Sequence, residues 1–438
     1  MTELKVGKVF RESGYPEYTY IRRREGDKEE ELADYLFKET AVVSISGPSK
    51  TGKSALVKYV VEEVDRVPQN IVPIRGNNIN SDEGFWKEVL EKLDEPTKIT
   101  KETREGTRKT TSKKLAGSIK AIAGRYTKDD TEEEFETIIE QKNLGLDTVL
   151  ELFQEERFVI FVDDAHKIPD EIHGDIAEKI KEALDREALI CVGYIDYRGD
   201  ALTSADSDLN SRVDTISLSQ WSEPDLKEIA DIGFDKLNVD VNDDFIDILA
   251  HEALESPQLM QKFCYQFCVS NDVYFEQNDE QQIRGNEEDA KEILRNTASS
   301  LNENYSTEFG LISGKTHGRS EDKFEFTDGK KGTRYDAILR GIASNEPSTS
   351  YSLSELKRKI KEQCVGHPPQ SGNITKHLKR MNKWVKKDQD VDNYIFDFVP
   401  NKEEQVQIPE PALLFYLRWS GVLDFEPGLR INSPEKIQ

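Results

Sequence analysis

One octapeptide limits what this chain can fold into more than any other feature. Gly47-Pro48-Ser49-Lys50-Thr51-Gly52-Lys53-Ser54 fits the phosphate-loop pattern G-x-x-x-x-G-K-[ST] at every fixed position. It lies between the apolar run Val42-Val43-Ser44-Ile45 and the helix former Ala55-Leu56-Val57, the strand-to-helix setting such a loop requires. The two glycines let the backbone turn so that consecutive N–H groups, and the first turn of the next helix, face phosphate oxygens. Lys53 is then suited to the β- and γ-phosphates and Ser54 to a magnesium ion, so ATP and Mg²⁺ are the expected cofactors, held across Gly47 to Ser54.

Five short apolar runs bounded by polar residues predict buried strands at 41–46, 70–75, 158–162, 189–195 and 213–218. Helical spacing at 55–64, 85–93 and 170–184 alternates with them, which predicts an α/β fold: a five-stranded parallel sheet covered on both faces, as in P-loop NTPases. The expected organisation is an N-terminal linker strand region over 1–30, the α/β core over 31–219, a small helical lid over 220–301, a linker over 302–334 and a third unit over 335–438. In that unit three helical patterns (336–343, 352–363, 374–385) precede a strand pair (394–399, 404–408), the order of a winged helix.

The third run, Phe158-Val159-Ile160-Phe161-Val162, leads directly into Asp163-Asp164, so a buried strand delivers two carboxylates to the ligand-binding edge of the sheet. Asp163 suits Mg²⁺, which takes one or two carboxylates and keeps much of its water. Asp164 suits the attacking water, although its reach is one methylene shorter than that of glutamate. Either aspartate also suits a helix cap, the structural alternative.

A phosphate loop, an apolar strand ending in Asp-Asp, and a further strand at 189–195 together resemble the AAA+ and STAND branches of the P-loop ATPases over about residues 15–270. The resemblance implies a sensor at the end of the fourth strand, matched by Asp196, with Tyr194 or Arg198 as alternatives. It also implies that Leu209-Asn210-Ser211-Arg212 ends in an arginine finger, Arg212, acting on a neighbouring subunit's nucleotide. The structural alternative is an ion pair of Arg212 with Asp206 or Asp208. In the lid, Glu255-Ser256-Pro257-Gln258-Leu259 is similar to the Gly-x-Pro element of STAND proteins and to the second sensor of initiator-type AAA+ proteins. Glu255 stands where glycine is usual, and Gln258 where arginine is frequent. The segment Val406 to Trp419 resembles the one that closes the last domain of prokaryotic AAA-type ATPases.

Charge narrows the choice of partners. With 85 Asp and Glu against 60 Lys and Arg the formal net charge is −25, so nucleic acid must be met by a local patch. Two basic islands exist. Residues 98–128 carry ten Lys or Arg against two Glu and form an insertion between the second and third strands. Its middle, 113–124, reads as a short amphipathic helix or hairpin facing DNA, a membrane surface or an acidic partner, or else as a disordered loop. The second island lies on one helix of the last unit, where Lys376, Lys379, Arg380 and Lys383 stand opposite the apolar stripe Ile374, Leu378, Met381 and Val385. These four are the candidate DNA-phosphate contacts, with Asn373, Thr375 and His377 as candidate base readers and Lys357, Arg358, Lys359 and Lys361 adding charge from the preceding helix.

No run approaches the 18 apolar residues of a membrane span and the N-terminus lacks a signal-peptide centre, so a cytoplasmic location is expected. Cys191, Cys264, Cys268 and Cys364 have no zinc or disulfide spacing and read as reduced core residues. The resulting expectation is a cytoplasmic, Mg²⁺-dependent ATPase resembling initiator-type AAA+ proteins. Its nucleotide state would couple to DNA binding or to ATP-driven homo-oligomerisation through the winged helix. The rivals are a STAND-type switch with slow hydrolysis and a protein trigger, and a small-molecule kinase, against which the lid and third unit argue.

Overall fold

The computed structural model describes residues 3–429 apart from 25, 40, 96–97, 106–135, 144, 196–200, 315–322, 388–395 and 400–404. All five expected strands form, as β1 (Val42–Ser46), β2 (Ile71–Arg75), β3 (Val159–Asp163), β4 (Leu189–Tyr194) and β5 (Val213–Ser217). They pair in parallel in the spatial order β2-β3-β4-β1-β5. β1 and β4 are buried along their whole length, because helices cover both faces, and this is why they read as continuous apolar runs. β5 lies at the sheet edge and buries only Ile216. The helix Lys53–Glu63 returns from β1 and presses Leu56, Val57, Val60 and Val61 onto the sheet.

The apolar interior falls into two clusters. One belongs to the α/β core, from Leu32 to Leu218. The other runs without a break from the N-terminal segment through the lid to the last helix. Two of the expected units change accordingly. Among the described residues of 1–30 there is no strand pairing beyond a single bridge of Lys5 to Phe275; instead Val6–Val9 is a short helix, and Phe10 packs edge-on against Phe234 of the lid at 5.0 Å. Much of the expected linker at 302–334 is structured. Asn302–Ile312 is a helix that buries Tyr305, Phe309, Leu311 and Ile312, and Phe324–Glu325 pairs with Lys331–Gly332. Its polar composition conceals an apolar stripe spaced three and four residues apart.

The lid adds to the expected helices (observed as Glu223–Lys236, Asp243–Glu252 and Pro257–Ser270) a fourth, Glu287–Ser300, capped reciprocally by Asn286 and Asp289. The last unit holds helices Arg334–Ala343, Leu353–Gln363 and Ser371–Lys387. Strands Asp397–Val399 and Gln405–Gln407 follow, and Ser350–Ser352 pairs on the far side of Gln405–Gln407. That third strand is Ser-Tyr-Ser, too short and polar to register as an apolar run. The final helix Pro411–Trp419 is buried at every position, because it lies between this unit and the lid.

A buried ion pair fastens those two together. Arg418 donates through Nε and a terminal nitrogen to the carboxylate of Glu252 at 3.1 and 2.8 Å, and its other terminal nitrogen reaches the carbonyls of Ala343 and Ser344 at 2.7 and 2.8 Å. Trp419 Nε1 donates to the same carboxylate at 2.7 Å. A fork-shaped cation meeting a two-oxygen acceptor away from water fixes register as well as proximity. The basic insertion opens on a strand, Lys98–Glu105, that pairs antiparallel with Glu136–Asn143 beyond it; the expected helix or hairpin at 113–124 lies outside the described residues. Among the described residues no helix is long and apolar enough to cross a membrane, and Cys191, Cys264 and Cys268 are buried as free thiols.

Candidate nucleotide site

β1 ends at Ser46, and the phosphate loop begins where the chain leaves the sheet. Gly47 has φ +153°, and a Cβ there would stand 2.8 Å from the Leu218 carbonyl oxygen, so only glycine lets the loop pass β5 this closely. Lys50 adopts φ +62°, a left-handed conformation that costs a lysine about 1 kcal/mol. Lys53 is buried, and its ammonium donates to the carbonyls of Gly47 and Pro48 at 2.9 and 2.8 Å. Thr51 Oγ1 donates to the Pro48 carbonyl at 2.9 Å, which closes the loop on itself.

β3 lies two positions from β1 with β4 between them, and its last residue reaches the loop. Ser54 Oγ donates to Asp163 Oδ2 at 2.6 Å across 109 residues of sequence. Burial raises the Asp163 carboxyl above its usual range, opposed by the Ser54 hydrogen bond and the charge of Lys53. A hydroxyl and a desolvated carboxylate meeting beside a buried ammonium and a ring of backbone amides is a donor set that fits a magnesium ion and the phosphates it accompanies. Asp164 follows in left-handed conformation at φ +54°, its N–H donating to Asp163 Oδ1 at 3.0 Å. Its own carboxylate pairs with Lys167 at 3.2 Å.

No protein-family model matches the sequence, and no curated protein matches it. Solved structures do. The Walker-type ATPase of Pyrococcus abyssi superposes with a TM-score of 0.50 at 15% identity, covering 93% of this chain and 99% of that one. The ORC2 protein of Aeropyrum pernix, determined as ADPNP–ADP complexes, gives 0.47 at 11% identity over 95% and 96% of the two chains. Cdc6p of Pyrobaculum aerophilum gives 0.42 at 14% identity over 94% and 97%. The chain shares the fold of that Walker-type ATPase, a parallel sheet carrying a phosphate loop.

Within that fold the other expected site residues divide sharply. Arg212 lies at the opposite edge of the sheet from the phosphate loop, because its carbonyl accepts from Val42 N at the start of β1. Five strand residues, roughly 17 Å, separate that edge from the loop. Its guanidinium pairs with Asp185 at 2.6 Å, whereas Asp206 and Asp208, the partners anticipated from sequence, pair with Lys181. Asp196 and Arg198 lie outside the described residues. Gln258 turns away from the loop and donates to the Glu12 carbonyl at 2.9 Å, so it holds the N-terminal segment. Leu254 and Glu255 both take positive φ, the conformation for which glycine is usual at this lid turn.

On the basic helix Ser371–Lys387, residues Lys376, Lys379, Arg380 and Lys383 line one shallow depression with Gly372 and Thr375, and none has an ion-pair partner among the described residues. His377 does not join them. It is buried, its Nδ1 contacts the Asn373 carbonyl at 2.6 Å and its ring meets Tyr335 edge-on at 4.8 Å, so it cannot read a base. Lys359 is also withdrawn, donating to the carbonyls of Asn345 and Glu346.

Three contributors to the site escaped the sequence reading. Arg23 stacks over the Trp221 ring at 4.2 Å and donates to the carbonyls of Ser219 and Thr51; Trp221 Nε1 donates to the same Thr51 carbonyl at 2.9 Å. The run Arg22-Arg23-Arg24 ahead of the core was the available signal. Gly76, after β2, packs so tightly that a Cβ would stand 2.3 Å from the Asp164 carbonyl oxygen, which fixes the turn carrying Asp164. Glu410 of the last unit reaches the loop itself, its Oε2 accepting from Ser49 Oγ at 3.4 Å.

Proposed function

We propose that this protein is a Mg²⁺-dependent ATPase whose nucleotide state is coupled, through the body formed by the lid and the C-terminal unit, to DNA binding by a winged helix at 335–438. The observation that carries the reading is the 2.6 Å contact between Ser54 and Asp163 beside Lys53, which joins the phosphate loop to a strand end 109 residues away. In this reading the amides of residues 47–52 and the Lys53 ammonium hold the β- and γ-phosphates, and Ser54 and Asp163 hold Mg²⁺, which would neutralise charge on the phosphate oxygens. Asp164 orients the attacking water; the water oxygen bonds to the γ-phosphorus as the bond from that phosphorus to the β–γ bridging oxygen breaks. Asp196 is the proposed γ-phosphate sensor. In this reading Arg212, at the end of the sheet away from its own loop, leaves Asp185 to act on a neighbouring subunit's nucleotide, which would tie activity to homo-oligomerisation on ATP. The unpaired cations Lys376, Lys379, Arg380 and Lys383 are the proposed phosphate contacts to duplex DNA. A cytoplasmic location accords with these partners.

One observation favours the slow STAND-type switch with a protein trigger: the Asp164 carboxylate is already engaged by Lys167 at 3.2 Å and must give up that contact to turn onto a water. The two readings separate in one experiment, ATP hydrolysis by wild type, Lys53→Ala and Arg380→Glu with and without duplex DNA across a salt series. The ATPase reading expects DNA stimulation that Lys53→Ala abolishes and Arg380→Glu weakens with a shallower salt slope. ATP-dependent assembly without DNA stimulation would replace it by the switch.

A further inference from the structure

Glu410 stands at the N-cap of the last helix, the position from which an acidic side chain ordinarily folds back onto its own helix. It does so only in part. Its side chain crosses to the other apolar cluster of the molecule and docks on the phosphate loop, where Oε2 accepts from Ser49 Oγ at 3.4 Å and the Lys50 ammonium is its main opposing charge. The Tyr305 hydroxyl, from the helix Asn302–Ile312, meets the same carboxylate from behind. Only 4% of the residue is exposed, so this carboxylate has given up water for contacts shared between the phosphate loop, Tyr305 and the first turn of its own helix.

The helix bearing Glu410 is fixed to the lid. Arg418 and Trp419 hold Glu252, the Tyr416 hydroxyl donates to Asn302 Oδ1 at 2.7 Å, and Phe415 packs on Phe263 at 4.9 Å. A displacement at Glu410 therefore moves lid and C-terminal unit as one piece. A second polar contact from the C-terminal unit to the chain leaving β5 is Gln220 Nε2 to Thr349 Oγ1 at 2.6 Å. Contacts of this kind exchange with water at little net cost.

We propose that Glu410 sets the nucleotide preference of the loop, its carboxylate standing in the closed form as an anionic plug that a diphosphate tolerates and a third phosphate must displace. The proposal rests on the nucleotide reading given above. Two anions cannot share the Ser49–Lys50 corner, so ATP expels Glu410 and with it releases the lid and C-terminal body, while ADP leaves both docked. Binding energy for the third phosphate is thus spent partly on opening the molecule, which links the triphosphate state to exposure of the last unit.

The test compares affinities for ADP and for a non-hydrolysable ATP analogue in the full chain, for wild type, Glu410→Gln and Tyr305→Phe. Hydrogen–deuterium exchange over 405–419 is followed in the same samples. Glu410→Gln keeps the shape and removes the charge, and should raise the analogue-to-ADP affinity ratio about tenfold, the scale of one opposed unit charge at near-contact distance with water still close by. Tyr305→Phe should shift the ratio the same way by less. In wild type the analogue, and not ADP, should increase exchange over 405–419; in Glu410→Gln that exchange should already be high without nucleotide. An unchanged ratio in both variants, with wild-type exchange indifferent to the analogue, would overturn the proposal while leaving the nucleotide site intact. No binding of either nucleotide to wild type would remove the site and the proposal together.

Discussion

Replacing Glu252 by leucine probes the joint on which coupling between lid and C-terminal unit depends. Both partners of the Glu252–Arg418 pair are 1% exposed, and the carboxylate accepts three hydrogen bonds, two from Arg418 and one from Trp419. Without it the guanidinium keeps only the carbonyls of Ala343 and Ser344 and becomes a buried, uncompensated cation. Stranding one member of such a pair costs about 3–5 kcal/mol. With a urea dependence of about 3 kcal/mol per molar, that lowers the unfolding midpoint by roughly 1–1.7 M. Replacing both residues, Glu252→Leu with Arg418→Met, removes the stranded charge and leaves the Trp419 N–H and the Ala343 and Ser344 carbonyls without these partners, a loss of about 1 kcal/mol each. Urea titration followed by tryptophan fluorescence and circular dichroism should therefore show the double variant more stable than the Glu252→Leu single. Additive losses, or a single-variant loss below about 1 kcal/mol, would refute the view that this pair acts as a buried unit.

Two further perturbations test neighbouring parts of the account. Gly76→Ala places a methyl group against the Asp164 carbonyl and should lose about 1–3 kcal/mol of stability, with a fall in hydrolysis larger than any fall in nucleotide affinity, measured by melting and single-turnover assays. Burial lowers the Lys359 ammonium below its usual range against the partial support of Glu346 and Glu355, with Arg358 and Glu362 also facing it. The folded state then binds fewer protons than the unfolded state between that lowered value and the ordinary lysine value, so stability should rise with pH across this alkaline window; Lys359→Gln should flatten the rise in melting temperature.

The sheet was legible because a doubly covered parallel strand is apolar along its length; 158–162 and 189–195 carry that pattern, and 41–46 carries it apart from Ser44 and Ser46. Ser54 and Asp163 were legible for a related reason, since motif and strand end each fix a side chain at the same sheet edge. The helix Glu287–Ser300 was missed, although Ala290, Ile293, Leu294, Thr297 and Ala298 follow helical spacing and Asn286 caps it, because small and polar residues dilute its stripe. The exposed faces of Lys376 to Lys383 followed from periodicity, but His377 did not: position on a helix places the imidazole near that face, and only the packing of Tyr335 draws it inward. The contact of Ser49 with Glu410, 361 residues apart, depends on how separate units dock, and that of Arg212 with Asp185 on how a helix end packs within the core; neither has a local pattern.

The central claim is that residues 47–54 with Asp163 hold a magnesium–triphosphate. Titration calorimetry of the full chain with a non-hydrolysable ATP analogue tests it most directly, with and without Mg²⁺ and beside Lys53→Ala and Asp163→Asn. The account predicts one site per chain, affinity that drops sharply when Mg²⁺ is withheld or Asp163 is neutralised, and no measurable uptake by Lys53→Ala. Equal heats from wild type and Lys53→Ala, or affinity indifferent to both magnesium and Asp163, would contradict it.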